Sequence, residues 1–128
     1  MKSKEESLLE IRGASIGIIT EHSSSEEKFQ NLTLRPILKF QNELFIDVFR
    51  NYATKQKGVF FTLSPEKKMQ YIDNAIRRDI KFRNLLKGMV IGMFTLSELK
   101  DYIQNSSNLN KRMMNLLTER LKSQIQII

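Results

Sequence analysis

The stretch "LLKGMVIGMF", residues Leu85 to Phe94, is the most apolar window of the chain, and its reading decides the fold. Gly88 and Gly92 stand four apart in it, the spacing that lets membrane helices touch. A spanning helix needs roughly 20 largely apolar residues. Here Lys87 interrupts the run, Arg83 precedes it, and Thr95, Ser97, Glu98 and Lys100 follow. The window is too short to cross a membrane and reads as the inner face of a packed helix. Each glycine in such a helix costs about 1 kcal/mol relative to alanine. A close contact at Gly88 and Gly92, with Met89 and Met93 beside them, is expected to offset that cost, either between helices of one chain or across a subunit interface.

Outward from this window, helix signals dominate. Ser64 and Pro65 place a capping hydroxyl before a proline at the first helical position, and Met69, Ile72, Ala75, Ile76 and Ile80 give the helix its apolar face. Phe82, Leu86, Met89, Val90 and Met93 recur at the same period but about a quarter turn away, which predicts a break near Asp79, with Asp79 capping the next helix. Thr95 with Glu98 makes a capping box, and Ser107 is placed to cap a last helix carrying Leu109, Met113, Leu116, Leu117, Leu121 and Ile125.

Upstream, Ser3 with Glu6 and Ser24 with Glu27 are further capping boxes, and "ASIGIITEHSSS" between them reads as a connector. Thr33 is expected to open a helix over 34–57 with Pro36 in its first turn, its face formed by Ile37, Phe40, Leu44, Phe45, Val48, Phe49 and Tyr52. Gly58 is a stop, and the aromatics of "VFFTL" are placed to plug the end of a bundle. The pattern predicts an all-α, compact single-domain bundle of about five to six helices over 1–128, with 1–24 an N-terminal arm of short helix plus connector.

Composition bounds the chemistry. The 128 residues contain no cysteine, which removes disulfides, thiolate metal sites and cysteine nucleophiles and fits a reducing compartment. Glu5, Glu6 and Glu10 occupy the place where a secretory signal needs its apolar run, so a cytoplasmic location is expected. The one histidine, His22, stands four before Glu26, but a metal site needs three or four protein ligands. No metal and no cofactor is expected. Asp73 with Arg77, and Asp79 with Arg83, read as exposed ion pairs at helical spacing. An enzyme would need a closed pocket built around groups such as Tyr71, Asp73 or Glu98.

Charge is more informative. The formal net charge is +7. Residues 1–30 hold four basic and six acidic groups and the remainder seventeen and eight, so the arm is −2 and the body +9. "RRDIKFR" brings Arg77, Arg78, Lys81 and Arg83 together, and "NKRMMN" adds Lys111 and Arg112; these six are the candidate contacts for a polyanion. The segment from Phe94 through Leu117 also resembles a helix-turn-helix, although its turn lacks glycine and Asn110 sits where an aliphatic residue is usual. Met89, Met93, Met113 and Met114 fall at core spacing. The closing "SQIQII" leaves Ile125, Ile127 and Ile128 an apolar tail that must dock, on its own bundle or on a second copy.

The segments "TLRPILKFQNELFIDVFRNY", "SPEKKMQYIDNAIRRDIKFRNLLKGMVIGMFT" and "YIQNSSNLNKRMMN" resemble a family of small helical proteins of flavobacterial type, sometimes labelled glyoxalase. The resemblance covers about Phe29 to the C-terminus. That label implies metal-dependent isomerisation on paired βαβββ units with histidine and glutamate ligands on strands; a chain with one histidine and helical periodicity offers no ligand to carry over. The expectation is therefore a non-enzymatic interaction protein that binds itself or another protein through Gly88, Gly92, Met89, Met93, Ile125 and Ile128. A nucleic-acid-binding module acting through the basic face is the alternative, and a small enzyme the third reading.

Overall fold

A computed structural model describes Met1–Ile128 and is all-helical, with seven helices in place of the five to six expected. Helix α1 is Lys4–Arg12 and α2 spans 25–40. Then come α3, Asn42–Lys55; a short 3-10 turn, Val59–Thr62; α4, Pro65–Arg78; α5, Ile80–Ile91; α6, Leu96–Gln104; and α7, Ser106–Lys122. No helix is long and apolar enough to cross a membrane.

Most starts are made by the residues that announce them. The Ser3, Ser24 and Ser64 hydroxyls accept from the amides of Glu6, Glu27 and Lys67, and the Asp79 carboxylate accepts from the amide of Phe82 at 3.1 Å. Thr95 and Glu98 close a reciprocal box. Asp79 is in an extended conformation between α4 and α5, which is why the two apolar stripes are out of phase. Two starts differ from expectation. Ser107 lies inside α7, whose cap is Asn105. Thr33 caps nothing.

At Thr33 the chain runs on as a π-helical turn, Gln30–Leu34, so Ser25–Phe29 and Arg35–Phe40 form one rod. The Thr33 hydroxyl instead donates to the Glu98 carboxylate at 2.6 Å. The break falls at Gln41, whose backbone leaves the helical region at φ −93°, ψ 10°. The break at Gln41 and the joining at Thr33 cancel in the number of helices, and at the break the stripe changes phase. Phe40 and Leu44 are about half exposed, while Leu38, Ile46 and Ala53 join Ile37, Phe45 and Phe49 inside. Met69 and Ile80 are likewise exposed at either end of the α4 stripe.

The core is one cluster of 22 buried residues. At its centre Phe49 meets Phe60 edge-on at 4.9 Å and Tyr71 at 6.1 Å, with Tyr52 and Phe82 stacked at 4.1 Å alongside. Phe60, from the 3-10 turn, is fully buried. Helix α1 adds no apolar residue to this cluster; Leu9 and Ile11 are about half exposed. Its anchor is Arg12, whose guanidinium donates to both Glu98 oxygens at 2.7 and 2.8 Å and to the Met93 carbonyl at 3.2 Å. Of the apolar tail, Ile125 is buried and Ile128 packs against the core of its own chain, while Ile127 is exposed.

Candidate polyanion interface

Helices α4, α5 and α7 enclose a cleft of about 630 Å³. Each wall is set by helical spacing. Asp73, Ile76 and Arg77 stand three and four apart on α4, and Arg83 and Lys87 stand four apart on α5. Ser107, Asn110, Lys111, Met114 and Thr118 follow one line along α7. Four cations from three helices, Arg77, Arg83, Lys87 and Lys111, thus face one space, and none is paired with a carboxylate.

The cleft's acids are otherwise engaged. Asp73 is held by Lys122 at 2.8 Å, and Glu119 lies 3.9 Å from the same ammonium. Arg83 spends one donor on the Arg77 carbonyl at 3.2 Å, near the negative end of α4. That bond fixes the arm of Arg83 and leaves the rest of its fork to the cleft. Asn110 accepts from the Tyr102 hydroxyl at 2.5 Å, so it is oriented too. The result is a polar, positively charged groove with only Ile76 and Met114 as apolar lining.

Of the six expected polyanion contacts, three come together here: Arg77, Arg83 and Lys111. Arg78 and Lys81 open onto a different hollow, with Tyr52, Tyr71 and Asp79. One residue along a helix is a turn of 100°, so Arg77 and Arg78 cannot share a face. Arg112 is occupied by Glu26 at 3.4 Å and Gln30 at 3.0 Å. The Glu26 carboxyl is held below its usual range by its hydrogen bond from Asn105 and, despite some desolvation, by the nearby Arg112. Lys87 is the contact that the sequence reading missed. Its place four residues after Arg83 was the signal.

The other expected contacts are dispersed. Gly88 and Gly92 are exposed, and nothing lies within 4 Å of where a Cβ on Gly88 would stand, so neither meets a neighbouring helix of this chain. Met89 and Met93 pack against the core from its edge, and Met113 is fully buried. Tyr71, Asp73 and Glu98 lie in three separate places. Burial raises the pKa of Tyr71 and, with a hydrogen bond to Asp79, pushes Tyr52 up to about 12. His22 is exposed beside Glu21 at 3.5 Å, while Glu26 turns to Asn105 and Arg112. No group of three or more histidine or acidic side chains is close enough to hold a metal ion.

The helix-turn-helix geometry is not formed. A single residue, Asn105, joins α6 to α7, where that motif uses three or four. Helix α7 runs 17 residues and buries Leu109, Met113, Leu117 and Leu121 lengthwise on the bundle. Compared with known proteins, the chain matches no family model, no curated protein and no solved structure.

Proposed function

We propose that this chain is a nucleic-acid-binding module that takes the sugar–phosphate backbone into the cleft between α4, α5 and α7. The convergence there of Arg77, Arg83, Lys87 and Lys111, all free of carboxylates, carries the reading. Lysine and arginine bind phosphate by releasing its counterions, and Ser107, Asn110, Asn115 and Thr118 add hydrogen-bonding groups. No aromatic side chain lines the cleft, so no platform for stacked bases exists. Binding is therefore expected to follow the backbone and tolerate sequence changes. A cytoplasmic location fits such a partner.

Fluorescence anisotropy with a labelled oligonucleotide of mixed sequence tests this. Arg77→Gln with Lys111→Gln should weaken binding about tenfold or more at low salt. Arg78→Gln with Lys81→Gln removes the same charge from the other hollow and should weaken it far less. Equal losses from the two double variants would mean that net charge, and not the cleft, does the binding.

Self-association is the second reading, carried by the exposed strip that Leu85, Gly88 and Gly92 form by helical spacing at the end of α5. Docking of Ile125 and Ile128 on their own core leaves that strip as its support. Sedimentation at rising concentration tests it: Leu85→Glu should convert any dimer to monomer, and a chain that is monomeric at high concentration removes the reading.

A further inference from the structure

A second cationic site lies on the other flank of α7 and stands on observations independent of the nucleic-acid reading. Arg35, just after the π-helical turn of α2, and Arg120, in the last turn of α7, open onto a hollow of about 380 Å³. Neither has a carboxylate partner. Glu119 also borders the hollow, but its side chain is 76% exposed and its cation is Lys122. Arg120 reaches the Asn42 side-chain carbonyl at 3.4 Å, an acceptor that Gln124 already holds at 2.8 Å. The Arg35 Nε is buried with no acceptor at all.

Two guanidinium groups thus border one hollow, both partly withdrawn from water and neither paired with a carboxylate. Burial, and then the charge of Arg35, lowers the pKa of Arg120. An anion seated between the forks would supply the missing acceptors and cancel the repulsion. A carboxylate presents two oxygens in one plane and a single charge, whereas a phosphate monoester presents three terminal oxygens in a pyramid and up to two charges, so two guanidinium forks can engage it from different sides. Ile16, Leu38 and Leu116 form an apolar wall beside the arginines, suited to the organic part of an ester.

We infer that Arg35 and Arg120 form a binding site for a phosphate monoester, with the phosphate between the two guanidinium forks and its substituent against Ile16, Leu38 and Leu116.

The test is titration of the full chain with phenyl phosphate at constant ionic strength, followed by calorimetry and by the Nε–Hε resonance of Arg35. Saturable binding is expected, with the Arg35 resonance shifting, and Arg120→Gln should weaken it about tenfold or more. Arg77→Gln with Lys111→Gln should leave it within about twofold, since those residues sit across the helix. Arg120→Gln removes a like charge and is expected to fold at least as stably as the parent in phosphate-free buffer. Should it fail to fold, Arg120→Lys keeps the charge but not the fork and is expected to weaken binding similarly. Absence of saturable binding overturns the proposal. So does equal affinity for benzoate, or a loss in the Arg77 and Lys111 variant that matches the loss at Arg120. Failure of oligonucleotide binding leaves this test unaffected, because the two sites share neither arginine.

Discussion

Glu98 shows how one side chain is determined from several distances in the chain. Its capping box with Thr95 is local and legible; Arg12, 86 residues away, and Thr33, 65 away, are not, because no spacing rule connects them. Burial alone would raise its pKa, yet hydrogen bonds from Arg12, Thr33 and Thr95, with the charge of Arg12, hold it below its ordinary value of 4.5. A carboxyl whose pKa is lower folded than unfolded stabilises the fold above its unfolded pKa and loses that stability as pH falls through the folded value. Chemical denaturation between about pH 6 and about pH 2 should therefore show an acid loss that Glu98→Gln flattens. Arg12→Ala leaves Glu98 without its partner and should cost about 3–5 kcal/mol by the same measurement. Arg12→Met with Glu98→Met should recover most of that loss. If the double variant is as unstable as Arg12→Ala, an unpaired buried charge is not the cause.

At the scale of elements, the sequence is readable where the start signal is local and misleading where a tertiary bond replaces it. Ser64, Asp79 and Thr95 cap as their spacing predicts. Thr33 has every mark of a cap, but its hydroxyl goes to Glu98 and the helix continues past it through the π-helical turn. Nothing in Gln41 or its neighbours announces the break there. After α3, Lys57 and Gly58 both adopt left-handed backbone, φ 69° each, and Gly58 is the residue that does so without strain. Gly58→Ala should destabilise by about 1 kcal/mol. Gly88→Ala acts in the opposite direction. Gly88 is exposed in a helix with open space where a Cβ would stand, so alanine should raise stability by up to about 1 kcal/mol in thermal melts. A destabilised Gly88→Ala chain would show that something packs on that strip in solution and would restore the subunit contact that the glycine spacing suggested.

For the whole molecule, periodicity foretold that rods would pack around one core, and that core gathers on Phe49. Phe49→Ala removes a fully buried ring from four aromatic neighbours and should cost about 3–5 kcal/mol. The polarity of the molecule was legible as a basic body and an acidic arm; the grouping of its charges was not. It depends on which side of α4 each arginine leaves, and on the corner at Asp79 that turns Arg83 and Lys87 toward Lys111. The salt dependence of oligonucleotide binding tests that grouping most directly. Four phosphate contacts in one cleft predict a slope of log Kobs against log salt of about −3 for a single strand, falling in magnitude by about 0.7 in Lys87→Gln. A slope near zero, or one that Lys87→Gln leaves unchanged, would contradict the assignment of the cleft to nucleic acid.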